Sequence, residues 1–485
     1  MNPKRTFPAA LRRSPNPLRS VLPILLALLA FSSAQAQTVY RWIADNVDFG
    51  EPESPWTNLA SWDPATMVPG TQPLNANDVV ELNGDGSNGF GTATKEITIN
   101  AATGSLTVGT LRFGDRDTGS ALIIEDSDGN PATAQAEGII FDTSVTSDGA
   151  SDGVVSALFH GLDNLEAQDT RGILSVGSDA VYGNSGDAFE VGVSLRDADG
   201  FLFDGFFNFR IDSPMVDLLA GSGGSDFTKR GQGILFFDEN DDTQATNGSL
   251  TGVNNVFVEE GELRFDGDNT DPDGVVTMQI QGDLVVGAGE ALLNSRAASN
   301  ARYVLPVLRL YRNNTGATIS STYTGTSATS EVGGSIYLNS GSLYIANSSI
   351  GAGGGEATIE PDIIVSGAGN QLQLNRANNN SEAVVFTGVI TGSGELHKDD
   401  NARGVFTADN TFSGVLGVGQ QSDDNGGNLG GVELVGANGA FSAVSEVRLY
   451  NNGTLVLENS DTLMDVDGAT MAAIVGAVNN DRLND

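Results

Sequence analysis

The sequence predicts an all-β fold: a repetitive stack of short-strand coils, closed at its N-terminal end by a separate cap segment. Three observations predict it. Strands of four to seven residues follow one another from Thr94 onward, each alternating or running apolar and ending at Gly, Asp or Asn. A short unit, Gly-x-Leu-x-apolar, returns along the chain. The 485 residues include 62 glycines and no cysteine, so turns are abundant and stability must come from burial and hydrogen bonding.

Residues 1–36 read as a secretory signal peptide. Lys4, Arg5, Arg12, Arg13 and Arg19 precede an apolar run from Val21 to Phe31, and Ala34-Gln35-Ala36 supplies small residues for cleavage after Ala36. That run is about half the roughly 20 residues a membrane-spanning helix needs. No later stretch is long and apolar enough to span.

Residues 37–90 form the predicted cap. All three tryptophans, Trp42, Trp56 and Trp62, fall here among Pro52, Pro55, Pro64, Pro69 and Pro73. The end of a stack exposes apolar surface and unpaired strand edges, which bulky aromatics held by prolines would cover. The alternative for these rings is a surface carbohydrate platform.

Residues 91–462 carry the coils. Gly109-Thr-Leu-Arg-Phe113, Gly172-Ile-Leu-Ser-Val176, Gly233-Ile-Leu-Phe-Phe237, Gly261-Glu-Leu-Arg-Phe265, Gly282-Asp-Leu-Val-Val286, Gly341-Ser-Leu-Tyr-Ile345 and Gly453-Thr-Leu-Val-Leu457 share one form. Glycine supplies the bend, Leu and the residue two places on point inward, and the residue between them faces water. Gly261 and Gly282 stand about one three-sided coil apart, and irregular spacing elsewhere implies insertions. Phe201-Leu-Phe-Asp-Gly-Phe-Phe-Asn-Phe209 reads as an aromatic stack in the core. Residues 463–485 read as a partial repeat or a helical tail around Met471–Val475, cut short in a longer protein.

Two stretches carry a family resemblance. Phe227-Thr-Lys-Arg-Gly-Gln-Gly-Ile-Leu-Phe-Phe237 with Val256-Phe-Val-Glu-Glu-Gly-Glu-Leu-Arg-Phe265, within 223–265, resembles the autotransporter-associated β-strand repeat. A second copy, within 391–457, runs from Thr391-Gly-Ser-Gly-Glu-Leu-His-Lys398 through Asp409-Asn-Thr-Phe-Ser-Gly414 to Asn451-Asn-Gly-Thr-Leu-Val-Leu457. It departs from the pattern at Asp399-Asp-Asn-Ala-Arg403, where a short Gly-x-Gly would stand. The resemblance implies a right-handed parallel β-helix in a secreted or outer-surface passenger, with outer-membrane attachment through a downstream segment that this sequence does not contain. It implies no catalytic activity.

Composition narrows the partners. There are 62 acidic and 24 basic residues, a formal charge of −38 that becomes five units more negative once the signal is removed. Such a field repels nucleic acid and anionic membranes. Extracellular or surface ligands, glycans among them, remain. The only histidines are His160 and His397, the latter read as a surface residue beside Lys398. Cysteine catalysis is excluded, and no Gly-x-Ser-x-Gly elbow supports a serine hydrolase. Asp117-Thr118-Gly119-Ser120 reads as a turn, lacking the second copy that would pair its carboxylate. The one cofactor on offer is calcium, at Asp266, Asp268, Asp271 and Asp273, whose acids alternate at short spacing. Asp126-Ser-Asp128-Gly-Asn130 echoes them. The expectation is an exported adhesion or structural scaffold, not an enzyme. The alternative is a carbohydrate-active β-helix, lyase, hydrolase or glycan-binding module, for which aligned Asp, Arg and aromatic side chains along one face would speak.

Overall fold

The computed structural model describes residues 38–42, 54–63, 65, 68–69, 79–82, 95–99, 104–113, 122–126, 138–142, 172–176, 188–197, 200–205, 208–219, 223–238, 248–266, 276–287, 306–311, 318–327, 329–347, 357–376, 383–400, 402–419, 431–434, 441, 443–450, 453–457 and 474–475. All lie in one compact unit, Gln37–Asp485. Among them the strands gather into three long sheets of 12, 14 and 13 strands. The chain visits the sheets in rotation, which makes a three-sided parallel β-helix. Phe227–Arg230 lies on the first sheet, Ile234–Asp238 on the second and Ser249–Val253 on the third, and Val256–Val258 returns to the first. No helix among the described residues is long and apolar enough to cross a membrane.

Register places like residues above one another. On the inner side of the second sheet Leu235, Leu263, Leu308, Leu343 and Leu372 pair in sequence, and all five are fully buried. Each contributes roughly 1.5–3 kcal/mol relative to exposure. Aromatic side chains stack in the same way: Phe237 on Phe265 in the second sheet at 4.9 Å, and Phe386 on Phe406 in the third at 4.8 Å. Phe201, Phe203 and Phe209 are buried, as the core reading expects.

The first-sheet corner carries a ladder of short side chains. Asp226 Oδ1 accepts from Asn255 N at 3.2 Å, Asn255 Oδ1 from Asp283 N at 2.8 Å, and Asp283 Oδ1 from Ser335 N at 2.9 Å. Farther along, Asp362 Oδ1 accepts from Val389 N at 2.8 Å. Each satisfies a main-chain donor that the turn between sheets leaves open.

The cap residues sit at the stack's N-terminal end. Val39–Trp42 pairs antiparallel with Trp62–Asp63 and parallel with Val79–Leu82. Trp62 lies 5.0 Å from both Trp42 and Trp56, and Trp56 Nε1 donates to Pro69 O at 2.9 Å. All three rings are buried, so none offers a carbohydrate platform. Ser54–Pro55 is the edge strand of the second sheet, where a proline removes a donor from the open edge.

Two expectations need correction, and a third is narrowed. Gly261 and Gly282 are not one coil apart: Gly261 leads the second-sheet strand Glu262–Asp266, and Gly282 precedes Leu284–Val286 of the first. The unit is a corner followed by a strand, and any corner can use it, so Gly453 precedes a third-sheet strand. Ile474–Val475 is a strand paired with Val447 and Arg448, which fits the partial repeat and not the helical alternative. His397 is buried at 1% exposure, because the Tyr450 ring covers it at 5.0 Å.

Near the C-terminal end the first sheet stops at Ile390–Gly392, and the Asn-Thr-Phe-Ser-Gly element takes its place without forming a strand. Thr411 N and Phe412 N both donate to Ile390 O at 3.0 and 3.1 Å. Asn410 Oδ1 accepts from Ile390 N at 2.7 Å, and Phe412 is fully buried.

Candidate functional site

Of the residues singled out for chemistry, Asp126, Asp266 and His397 fall among the described residues. Asp266 ends a second-sheet strand, and Asp268, Asp271 and Asp273 lie outside the described residues, as do Asp128, Asn130, His160 and residues 117–120. Among the described residues no group of three or more His, Asp or Glu is placed to hold a metal ion. His397 Nε2 donates to the main-chain oxygen of Gly419, and its Nδ1 has no hydrogen-bond partner. Burial lowers its basicity. With Nε2 spent on a carbonyl and no carboxylate on Nδ1, this ring lacks the geometry of a triad base.

Both repeat lysines turn inward. Lys229, fully buried, donates from Nζ to the main-chain oxygens of Arg230 and Gly231 at 2.7 Å and of Glu260 at 3.1 Å. Its ammonium lies 5.7 Å from the centre of the Phe203 ring. Lys398, exposed by 1%, donates to Asp400 O at 2.6 Å, and burial pushes its amine down to about 8. These are coil-corner ties rather than a site.

Charged residues facing away from the core form two columns. On the first sheet Arg41, Glu81 and Arg112 follow one another, then Asp204, Arg230 and, one coil on, Glu259. Opposite charges meet at 2.7 Å in Arg41–Glu81 and 2.5 Å in Arg230–Glu259. Glu81, Arg112 and Asp204 are at most 3% exposed, so the middle of this column is covered, while Arg41 at its end keeps 47% of its side-chain surface.

The second-sheet column is different. Its register runs Arg210, Phe236, Arg264, Arg309, Tyr344, Gln373 over successive coils, opposite the inward leucines and phenylalanines. Arg264 and Arg309 keep 21% and 23% of their side-chain surface, and Arg210 35%. Glu262 Oε1 holds both neighbouring arginines, Arg264 Nε at 2.7 Å and Arg309 Nε at 3.1 Å. The Arg309 guanidinium lies 4.3 Å from the Tyr344 ring centre, a cation–π pair. At one end Arg210 Nε meets Asp212 Oδ2 at 2.7 Å. Asp212 is 2% exposed, and burial, with Asp238 and Glu190 nearby, pushes its carboxyl up to about 7 against the pull of Arg210. This half-exposed row is the candidate site. Its members are separated by whole coils, so no local motif announces it; the only sequence sign is an Arg or aromatic at the central place of Gly-x-Leu-x-apolar units.

Comparison with protein-family models, with curated proteins and with solved structures finds no match for the chain.

Proposed function

We propose that the chain is an exported, cell-surface or secreted scaffold: a β-helical passenger that presents loops for adhesion or extracellular structure. The observation that carries this reading is the stack itself, in which the residues of both repeat-like stretches are used on corners and core. Lys229 and Lys398 tie main-chain carbonyls, and Asn410 and Phe412 complete a coil. Such a body displays whatever leaves its corners. The signal-like leader, the acidic cysteine-free composition and the repeat resemblance support export.

The test is the mature N-terminus and its accessibility. Protein from the producing cells should begin at Gln37 and be cleaved by protease added to intact cells. Protein that retains Met1 and is protected until lysis would overturn the reading.

A second reading, a glycan-binding module, is favoured by one observation: the half-exposed Arg and aromatic row on the second sheet.

A further inference from the structure

We infer that the outer face of the second sheet, from Phe236 through Arg264, Arg309 and Tyr344 to Gln373, is a binding lane for a neutral polysaccharide chain lying along the stack. The inference rests on the second reading above and gives it a place and a ligand class.

Geometry selects a linear polymer. Strands in a sheet repeat about every 4.7–4.9 Å, so five successive coils set five side chains in a straight line at constant spacing. A compact ligand would meet only one or two of them. A peptide adding as a strand is ruled out, because each of these strands is already paired on both sides and offers no open edge there. Nucleic acid is ruled out by the charge of −38.

Chemistry then selects sugar. The row sets planar hydrogen-bonding groups beside aromatic rings: Phe236 on one side of the arginine pair, Tyr344 and Gln373 on the other. Pyranose C–H groups pack against the ring surface left exposed, one face of Tyr344 being covered by the Arg309 guanidinium, and sugar hydroxyls both donate to carboxylates and accept from guanidinium and amide N–H groups. The lane is held before any ligand arrives. Glu262 fixes two arginines, Arg309 rests on Tyr344, and Gln373 Nε2 donates to Gln371 Oε1 at 2.5 Å. Less ordering entropy is then lost on binding. Glu262, Glu190 and Asp238 flank the row in an already acidic protein, which disfavours uronate chains and leaves neutral ones.

Titration calorimetry with residues 37–485 tests this. The probes are hexasaccharides of β-1,4-glucose, β-1,4-xylose and α-1,4-glucose, the matching monosaccharides, and hexagalacturonate. At least one neutral hexasaccharide should bind. Its monosaccharide and hexagalacturonate should bind at least about tenfold more weakly. Arg264→Ala and Tyr344→Ala should each weaken binding by about tenfold, while Tyr337→Ala, on the outer face of the first sheet, should leave it unchanged. Arg309→Lys guards against misfolding: it keeps the charge, removes the planar fork and should weaken binding at unaltered melting temperature. Preference for hexagalacturonate would overturn the neutral-chain inference. Binding that survives the Arg264/Tyr344 double substitution would overturn the lane and keep a glycan-binding protein. No binding of any sugar at millimolar concentration would remove both.

Discussion

Two corners of the stack, at Lys229 and at Lys398, solve one problem with different residues. Each lysine stands two places before a residue in the left-handed region, Gly231 at φ 76° and Asp400 at φ 72°. Each amine donates to the oxygen of that residue, at 2.7 and 2.6 Å. The stretch Asp399–Arg403 therefore departs from the repeat pattern in sequence while keeping the corner in space. The corners differ in position: Lys229 is the last but one residue of a first-sheet strand and Lys398 of a second-sheet strand. They differ also in how the buried amine is accommodated: Lys229 ties three carbonyls, one of them from the next coil, while burial lowers the Lys398 amine to about 8. The lesson is that the Lys-x-left-handed corner is a portable device, independent of the face it turns.

Truncation should break this symmetry most. Lys229→Ala leaves three buried carbonyls short of a donor and a cavity beneath Phe203, an expected loss of about 4 kcal/mol; Lys398→Ala should cost about half as much. Solenoids unfold in parts, so hydrogen exchange of the Phe227–Arg230 and Glu395–Asp399 strands is the proper readout. Equal losses would show that the ties of Lys229 contribute no more than the amine of Lys398, which burial lowers to about 8.

Titration separates the corners further. The Lys398 amine, ordinarily near 10.5, is lowered to about 8 by burial. Between these values the unfolded chain holds more protons than the folded one, so this group makes stability rise with pH from about 8 to 10.5, by up to about 3 kcal/mol. Lys398→Met should flatten that rise in urea melts across the window. A profile identical to the unaltered protein would contradict the burial of this amine.

Exchanging the third residue gives the smallest and sharpest contrast. A Cβ on Gly231 would fall inside the carbonyl of Gly205, so Gly231→Asp should cost about 2–3 kcal/mol. Asp400→Gly relieves the left-handed penalty and should gain about 1 kcal/mol, reduced by the greater freedom of glycine in the unfolded chain. Loss in both directions would show that the corners are not equivalent.

The fold class was legible because its causes are local. A period of two, glycine corners and Asx turns recur within a few residues, and the burial of the three tryptophans follows from their size beside prolines. The register was not. Gly-x-Leu-x-apolar marks a corner without saying which, so Gly261 and Gly282 read as neighbours in one column. His397 read as a surface residue because it holds a variable place beside Lys398; Tyr450, two coils on, covers it, and Gly417 on the coil between leaves the room. The row from Arg210 to Gln373 depends on coil lengths that insertions make unequal, since Leu263 next meets Leu308. Only three-dimensional register brings its members into line. The acids at Asp268, Asp271 and Asp273 fall outside the described residues.

The chain has four lysines, Lys4, Lys95, Lys229 and Lys398, and only three follow Ala36. Amine labelling is therefore a direct test of the claim that the repeat-like stretches build corners and not a site. The folded protein is treated briefly with a water-soluble acylating reagent at neutral pH and mapped by mass spectrometry. The account predicts that Lys229 and Lys398 stay unmodified until denaturant is added, while the free N-terminal amine reacts. Rapid modification of either lysine in the folded protein would contradict it.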